Sequence, residues 1–281
     1  MLLKDFVTEG TRALESLYPT EEARSIILML CERLAGTKSY THVVEPGYEL
    51  SPEVSESVQA ALLRLQAGEP IQYVLGVAEF CGHEFVVGPD VLIPRPETEQ
   101  LAMEAAELAR RGSPARVLDL CTGSGCIAWT VALASPEAEV IGVDISDGAL
   151  QVASSQPLPA SPVFLKADVL EVDQPFEHGQ FDLILSNPPY IKDCEKTLMR
   201  TNVLDFEPAT ALFVPDADPL VFYRAIALWS LKYMLPSGVG LTEINETLGP
   251  ETAQIFMDAG FSTVEVVKDI FGKDRFVRYS H

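Results

Sequence analysis

Apolar residues recur at helical spacing over the first 75 or so positions of the chain. They form the series Phe6, Leu14, Leu17, Ala23, Ile26, Ile27, Leu30 and Leu34. Thr20 is predicted to cap the second helix of this region, and Ser51, just before Pro52, to cap a later helix that ends at Gly68. We therefore predict a small helical domain over residues 1–75.

The pattern changes after this region into short apolar runs that glycines and Pro89 interrupt. The runs VLGVAEF and HEFVVGPDVLI are typical of two paired strands. Residues 76–95 are therefore predicted to form a β-hairpin linker between two domains. A helix is predicted to follow from about Pro96 to Arg111.

Strands and helices are predicted to alternate over the rest of the chain, which makes residues 96–281 a second domain. The strands are RVLDLC, EVIGVD, PVFLKAD, FDLILSN, GVGLTEI, STVEVV and RFVRYS; the helices are Ile127–Ala134, Gly148–Ser154, Pro219–Leu235 and Thr252–Ala259. Apolar strands that alternate with helices indicate an α/β fold, in which a mostly parallel sheet is covered on both faces. Such sheets bind ligands at the carboxyl ends of their strands.

The composition narrows the class of protein. The five cysteines contain no CxxC pair, so we expect a reduced protein of the cytoplasm. The acidic N-terminus is unlike a signal peptide, and no apolar run approaches the roughly 20 residues of a membrane span. A net charge of -21 with only 20 basic residues argues against a nucleic-acid-binding surface and favours a basic protein partner.

A glycine-rich segment, Asp119 to Gly125 (DLCTGSG), ends the first strand of the second domain. Its small residues let the backbone turn sharply and approach a ligand closely, although a plain strand-to-helix turn has the same composition. Asp144 ends the next strand, where a carboxylate can accept both ribose hydroxyls of an adenosine or can cap the following helix. Asp168 ends the third strand, where it either faces an adenine beside Val169 or forms a turn.

The sequence Asn187-Pro188-Pro189-Tyr190 follows the strand FDLILS directly. Two prolines cannot extend a ladder of hydrogen bonds, so they hold the backbone carbonyls in place as acceptors. With the Asn187 amide and the flat face of Tyr190, the turn suits a planar NH2 group. This geometry favours methyl transfer to an amide or amino nitrogen, in which positioning supplies most of the catalysis and no strong general base is required.

Further segments extend these motifs over most of the chain. They are GEPIQY from Gly68, LIPRPETE from Leu92, DLCTGSGCIA from Asp119, VDIS before Asp147, SNPPYI from Ser186, FEP from Phe206, EIN from Glu243 and GKDR before the last strand. Together they resemble the release factor glutamine methyltransferases of the HemK/PrmC type. The segment LIPRPETE is much more specific to those enzymes than Asn-Pro-Pro-Tyr, which adenine and cytosine amino-methyltransferases share.

The resemblance implies a Rossmann-like class I methyltransferase domain with a seven-stranded sheet, behind a helical domain that recognises the substrate. S-adenosylmethionine is then the methyl donor, S-adenosylhomocysteine the product, and no metal is required. The implied cofactor site consists of Cys121, Thr122, Gly123, Ser124, Gly125, Asp144, Asp168, Val169 and Asn187. Asn187 and the Pro188 carbonyl are implied to hold the substrate amide, beside Pro189 and with Tyr190 as a wall.

The implied substrate is the glutamine of a Gly-Gly-Gln tripeptide in peptide chain release factors, so that methylation modulates translation termination. The sequence leaves two alternative substrates, a glutamine of a ribosomal protein and the exocyclic amine of a nucleic-acid adenine. It also leaves a third alternative, a cofactor-binding or interaction module that catalyses no reaction. Arg95 and Glu207 either contact the protein partner or form structural ion pairs.

Overall fold

The computed structural model describes residues 1–111 and 114–281, which form two compact units. The first unit consists of Met1–Gly76 and Arg200–Phe206, and the second of Val77–Met199 and Glu207–His281. Among the described residues, no helix is both long and apolar enough to cross a lipid bilayer.

The first unit contains five helices before residue 77. They are α1 (Leu3–Leu14), α2 (Thr20–Ala35), α3 (Thr41–Val44), α4 (Pro52–Gln66) and α5 (Ile71–Leu75). Their apolar faces share one core, in which Leu14, Ile27, Leu30 and Leu65 are fully buried. The helical periodicity of the sequence is therefore the periodicity of a buried face.

The two helix caps that were predicted for this unit differ in outcome. The Ser51 hydroxyl accepts a hydrogen bond from the Val54 amide at 3.3 Å, so the cap of α4 is confirmed. The prediction for Thr20 is wrong, because α2 begins at Thr20 itself and Pro19 occupies the capping position. The Thr20 hydroxyl donates instead to Glu15 at 3.1 Å.

A segment from the second half of the chain completes the first unit. Arg200–Phe206, mostly a short helix, lies within the residues that the sequence assigned to the second domain. Arg200 pairs with Glu22 of α2 at 2.5 Å. The segment follows the Asn-Pro-Pro-Tyr motif by about ten residues, so the chain leaves and re-enters the second unit between Met199 and Glu207.

The second unit opens with the predicted hairpin, β1 (Val77–Phe80) and β2 (His83–Val86), paired antiparallel. Cys81 and Gly82 turn the chain with positive φ angles of 49° and 75°, as a two-residue hairpin turn requires. Phe80 and Phe85 are fully buried in the core of this unit. The hairpin therefore packs into the core of the second unit.

A seven-stranded sheet forms the centre of the second unit. Its strands are β3 (Arg116–Leu120), β4 (Glu139–Asp144), β5 (Val163–Lys166), β6 (Phe181–Ser186), β9 (Met234–Glu243), β10 (Thr263–Lys268) and β11 (Asp274–Ser280); β7 (Ile191–Lys192) and β8 (Phe213–Val214) pair separately. The helices are α6 (Pro96–Arg111), α7 (Cys126–Ala134), α8 (Asp147–Ser154), α9 (Thr201–Phe206, in the first unit), α10 (Val221–Tyr233) and α11 (Gly249–Asp258).

The strand order is β10-β11-β9-β6-β3-β4-β5, and only β11 runs against the others. The chain moves outward from β3 through β4 to β5 and then returns to the other side of β3 with β6. The strand order therefore reverses at β3, and a crevice opens there at the carboxyl edge of the sheet. The predicted mostly parallel α/β sheet is confirmed.

Helices cover both faces of the sheet, and neighbouring strand residues point into different cores. Leu118 belongs to the core that includes α10 and α11, whereas Val117 faces the core that includes α6 and α7. Burial on both faces explains why the central strands are continuous apolar runs.

Candidate active site

The loop after β3 lies at the crevice and takes its shape from left-handed residues. Cys121, Gly123 and Gly125 have φ angles of 61°, 56° and 78°. Cys121 adopts this conformation without being glycine, whereas Gly125 forms the N-cap of α7. Among the described residues, no atom lies within 4 Å of the position that a Gly123 Cβ would take, so a side chain there would enter open space.

Asp144, at the end of β4, supports this loop. One carboxylate oxygen accepts from the Gly123 amide at 2.9 Å, and the other accepts from the Ser146 amide at 2.9 Å. The helix-capping role belongs to Ser146, whose hydroxyl accepts from the Ala149 amide. Each Asp144 oxygen keeps a lone pair for a further donor. Burial raises the pKa of Asp144, and the backbone hydrogen bonds oppose that rise.

Asp168 follows β5, where it makes a turn contact and also belongs to the cavity lining. Its carboxylate accepts from the Leu170 amide at 2.9 Å, which is the contact of a turn. The same side chain lines the cavity beside Val169, which is buried. The turn contact engages one oxygen of Asp168 and leaves acceptor capacity on its carboxylate.

The Asn-Pro-Pro-Tyr turn follows β6 at the same edge of the sheet. Asn187 donates from its side-chain amide to the Thr98 hydroxyl at 3.1 Å. Pro188 and Pro189 are buried. Tyr190 donates its hydroxyl to Glu243 at 2.9 Å and packs against the core below the sheet edge.

These residues surround a cavity of about 480 Å³, which is the size of a small-molecule site. Its lining includes eight of the nine predicted cofactor residues, of which Asn187 also belongs to the turn, and Pro189 of the turn. The eight are Cys121, Thr122, Gly123, Ser124, Asp144, Asp168, Val169 and Asn187. Of the predicted residues, Gly125, Pro188 and Tyr190 are not part of the lining that the described residues form. Gly125 instead shapes the loop.

Asp119 is a buried acid next to the cavity lining, and no individual role was predicted for it from the sequence. It is 0% exposed and accepts from the Thr122 hydroxyl at 2.5 Å. Burial raises its pKa to about 7, although hydrogen bonds from Thr122 and the Ala128 amide oppose this and the charge of Asp144 adds to it. An acid within the apolar run RVLDL was the available signal, since buried acids are rare without a function.

Two further loops, for which the sequence predicts no single role, also contribute to the cavity lining. Arg95 comes from the loop before α6, and Glu207 precedes a loop that contributes residues such as Ala211 and Phe213. Arg95 pairs with Glu207 at 2.6 Å, and the same carboxylate, only 5% exposed, accepts from the Ile93 amide. Arg95 and Glu207 therefore form a structural ion pair that joins the two loops.

The arrangement can bind a nucleoside-like ligand and present a planar amide to it. The Asp144 carboxylate supports the glycine-rich loop, and Asp168, Asn187 and Pro189 belong to the same lining. Asp144 and Asp168, both in the lining, favour a ligand that carries positive charge.

Comparison with known proteins finds similar sequences over nearly the whole length of the chain. Residues 5–76 match the family described as PrmC N-terminal domain, and residues 100–211 match the methyltransferase small domain. A release factor glutamine methyltransferase of Bacteroides thetaiotaomicron is 41% identical and covers 94% of this chain and 95% of its own. Its namesake in Flavobacterium psychrophilum is 35% identical over 99% of both chains.

Proposed function

The chain belongs to the family of release factor glutamine methyltransferases, and we propose that it methylates the side-chain amide nitrogen of a glutamine in a peptide chain release factor. The observation that carries this proposal is the Asn-Pro-Pro-Tyr turn, of which Asn187 and Pro189 line the cavity, in a chain that matches such enzymes over almost its full length. The acidic surface suits a basic protein substrate better than a nucleic acid.

The residues of the cavity fit S-adenosylmethionine. Both Asp144 oxygens retain lone pairs for ribose hydroxyls, and the open space beside Gly123 admits a ligand close to the backbone. When bound, S-adenosylmethionine supplies an electrophilic methyl group on a positively charged sulfur. We infer that the loop from Cys121 to Gly125, with Asp144, Asp168, Val169 and Asn187, holds it.

The turn after β6 is proposed to hold the acceptor. The Asn187 side-chain carbonyl and the Pro188 backbone carbonyl accept the two hydrogens of the substrate NH2 group. Because Pro188 and Pro189 limit the backbone, these acceptors stay in place while the nitrogen meets the methyl carbon. Positioning of this kind lowers a barrier by about 7–11 kcal/mol at best.

The proton balance of the reaction requires no strong base. A carbon–nitrogen bond forms as the carbon–sulfur bond breaks, and the methylated amide nitrogen becomes strongly acidic. Its extra proton then leaves to water. The buried Tyr190 hydroxyl, whose pKa burial raises well above the usual value, is not suited to act as the base.

Tandem mass spectrometry can test the proposal. The protein is incubated with release factor and S-adenosylmethionine that carries a labelled methyl group. We expect one methyl group on the side-chain amide of the Gly-Gly-Gln glutamine, and no transfer to a release factor with glutamate at that position. Label on another residue, or equal transfer to the glutamate variant, would contradict the proposal.

A further inference from the structure

Glu243, at the end of β9, is a buried carboxylate just behind the acceptor turn. It is 1% exposed, and one oxygen, Oε1, accepts from the Tyr190 hydroxyl at 2.9 Å. Among the described residues, the other oxygen, Oε2, is buried and accepts no hydrogen bond. The Thr98 hydroxyl of α6 acts on this carboxylate and favours its charged form.

The remaining groups around Glu243 also bear on its charge. Arg275 of β11 favours the ionised carboxylate, although it is itself paired with Asp269 at 2.8 Å, whereas Glu97 of α6 opposes it. Burial is the largest influence and raises the pKa of Glu243. Thr98, Tyr190 and Arg275 favour the ionised form. In that form the carboxylate has only acceptors, so every group that bonds to it must donate.

Because the ionised Glu243 carboxylate can only accept, it determines the direction of the hydrogen bonds that connect it through Thr98 to Asn187 at the cavity. Thr98 is 2% exposed and has one hydroxyl hydrogen, which an unfilled buried carboxylate oxygen attracts strongly. The Thr98 oxygen is then an acceptor toward Asn187, and Asn187 donates to it at 3.1 Å. With its NH2 group directed at Thr98, Asn187 presents its carbonyl oxygen to the cavity.

The opposite orientation of the Asn187 amide would obstruct the reaction. An amide can turn by 180° with almost no change in shape, and the turned form would present NH2 to the NH2 group of the substrate. Two donors that face each other form no hydrogen bond, so the substrate nitrogen would not be held.

We propose that Thr98 and Glu243 are positioning residues that fix the orientation of the Asn187 amide, so that its carbonyl oxygen receives the substrate. The proposal rests on the proposed function and deepens it. It also gives a physical role to Thr98 in the segment LIPRPETE and to Glu243 in EIN, which the cofactor and acceptor sites leave without one.

Single-turnover rates with saturating release factor and cofactor test the proposal. Thr98→Val keeps the shape but can neither accept from Asn187 nor donate to Glu243, and we expect the rate to fall about tenfold or more. Thr98→Ser restores the hydroxyl and should keep the rate within about threefold. Glu243→Gln leaves a single acceptor oxygen for the Tyr190 and Thr98 hydroxyls together, so we expect its rate to fall as well.

Three controls separate positioning from stability. Calorimetry should show that the cofactor dissociation constant of Thr98→Val stays within about twofold. Thr130→Val, which removes a buried hydroxyl that donates to the Cys126 carbonyl and does not belong to the cavity lining of the described residues, should leave the rate unchanged. In an Asn187→Ala background, Thr98→Val should have no further effect, because the amide that it orients is gone.

The outcomes distinguish this inference from the proposed function. If the unaltered protein fails to methylate release factor, the proposed function is wrong. If it methylates normally and Thr98→Val does too, only the positioning role is wrong. Equal losses in Thr98→Val and Thr98→Ser, or full additivity with Asn187→Ala, would also overturn the positioning role.

Discussion

At the scale of single residues, Asp144 joins the glycine-rich loop to the cavity. Its carboxylate holds the Gly123 amide and keeps acceptor capacity for a ligand. We expect Asp144→Ala to weaken S-adenosylmethionine binding by about 1.5–3 kcal/mol, roughly tenfold to a hundredfold, because a charge-assisted contact is lost. Calorimetry measures this directly. Asp147→Ala, an exposed acid outside the cavity lining, is the control, and equal dissociation constants for both variants would remove Asp144 from the site.

Asp119 makes the stability of the protein depend on pH. Its folded pKa of about 7 lies above the unfolded value of about 3.9, so the folded state binds more protons between these values. Its contribution to stability is therefore fully present below about pH 4 and is lost as the pH rises through about 7. Asp119→Asn, which resembles the protonated acid, should gain stability relative to the unaltered protein over this range. Urea unfolding of the cofactor-free proteins at several pH values tests this, and parallel curves would contradict it.

The sequence predicts which residues line the cavity better than it predicts which of them contact one another. Asp144, Asp168 and Asn187 line the cavity because strand ends of a parallel sheet converge at one edge, which periodicity alone indicates. The contact of Tyr190 with Glu243 joins residues 53 positions apart. Likewise, the pair of Arg95 and Glu207 depends on how two distant loops pack. Local pattern carries no information on such pairs.

At the scale of elements, the cap of α4 shows how local chemistry starts a helix. The Ser51 hydroxyl satisfies the Val54 amide, which has no partner within the helix. We expect Ser51→Ala to lower the free energy of unfolding by about 1 kcal/mol. Ser57→Ala, in the middle of α4, removes a hydroxyl that bonds only to the Glu53 carbonyl and serves as the control. A shift in the urea midpoint no larger than that of the control would count against the cap.

Some helix and strand boundaries differ from the predicted ones because contacts between distant parts of the chain determine them. Helix α10 ends at Tyr233 and β9 begins at Met234, four residues before the predicted strand, because Met234 pairs with Phe181 of β6. The helix at residues 201–206 was not predicted, since its six residues are too few to show a periodicity. Its membership in the first unit depends on contacts with residues far away in the chain.

At the scale of the whole molecule, the cavity belongs entirely to the second unit, whereas the first unit contributes none of its lining. We propose that the first unit recognises the release factor. Deletion of residues 1–75 should then reduce methylation of the whole release factor more than that of a short Gly-Gly-Gln peptide. The ratio of kcat/KM for the two substrates measures this. Equal losses in a folded, cofactor-binding variant would exclude a docking role.

The central claim is that the turn after β6 holds a glutamine amide for methyl transfer. Single-turnover kinetics of Asn187→Ala, with release factor and cofactor both saturating, test it most directly because they isolate the chemical step. We predict that the rate falls by roughly a hundredfold or more, while the cofactor affinity stays within several-fold of the unaltered protein. For Asn187→Asp we predict an intermediate rate. Methyl transfer by Asn187→Ala at the unaltered rate would contradict the claim.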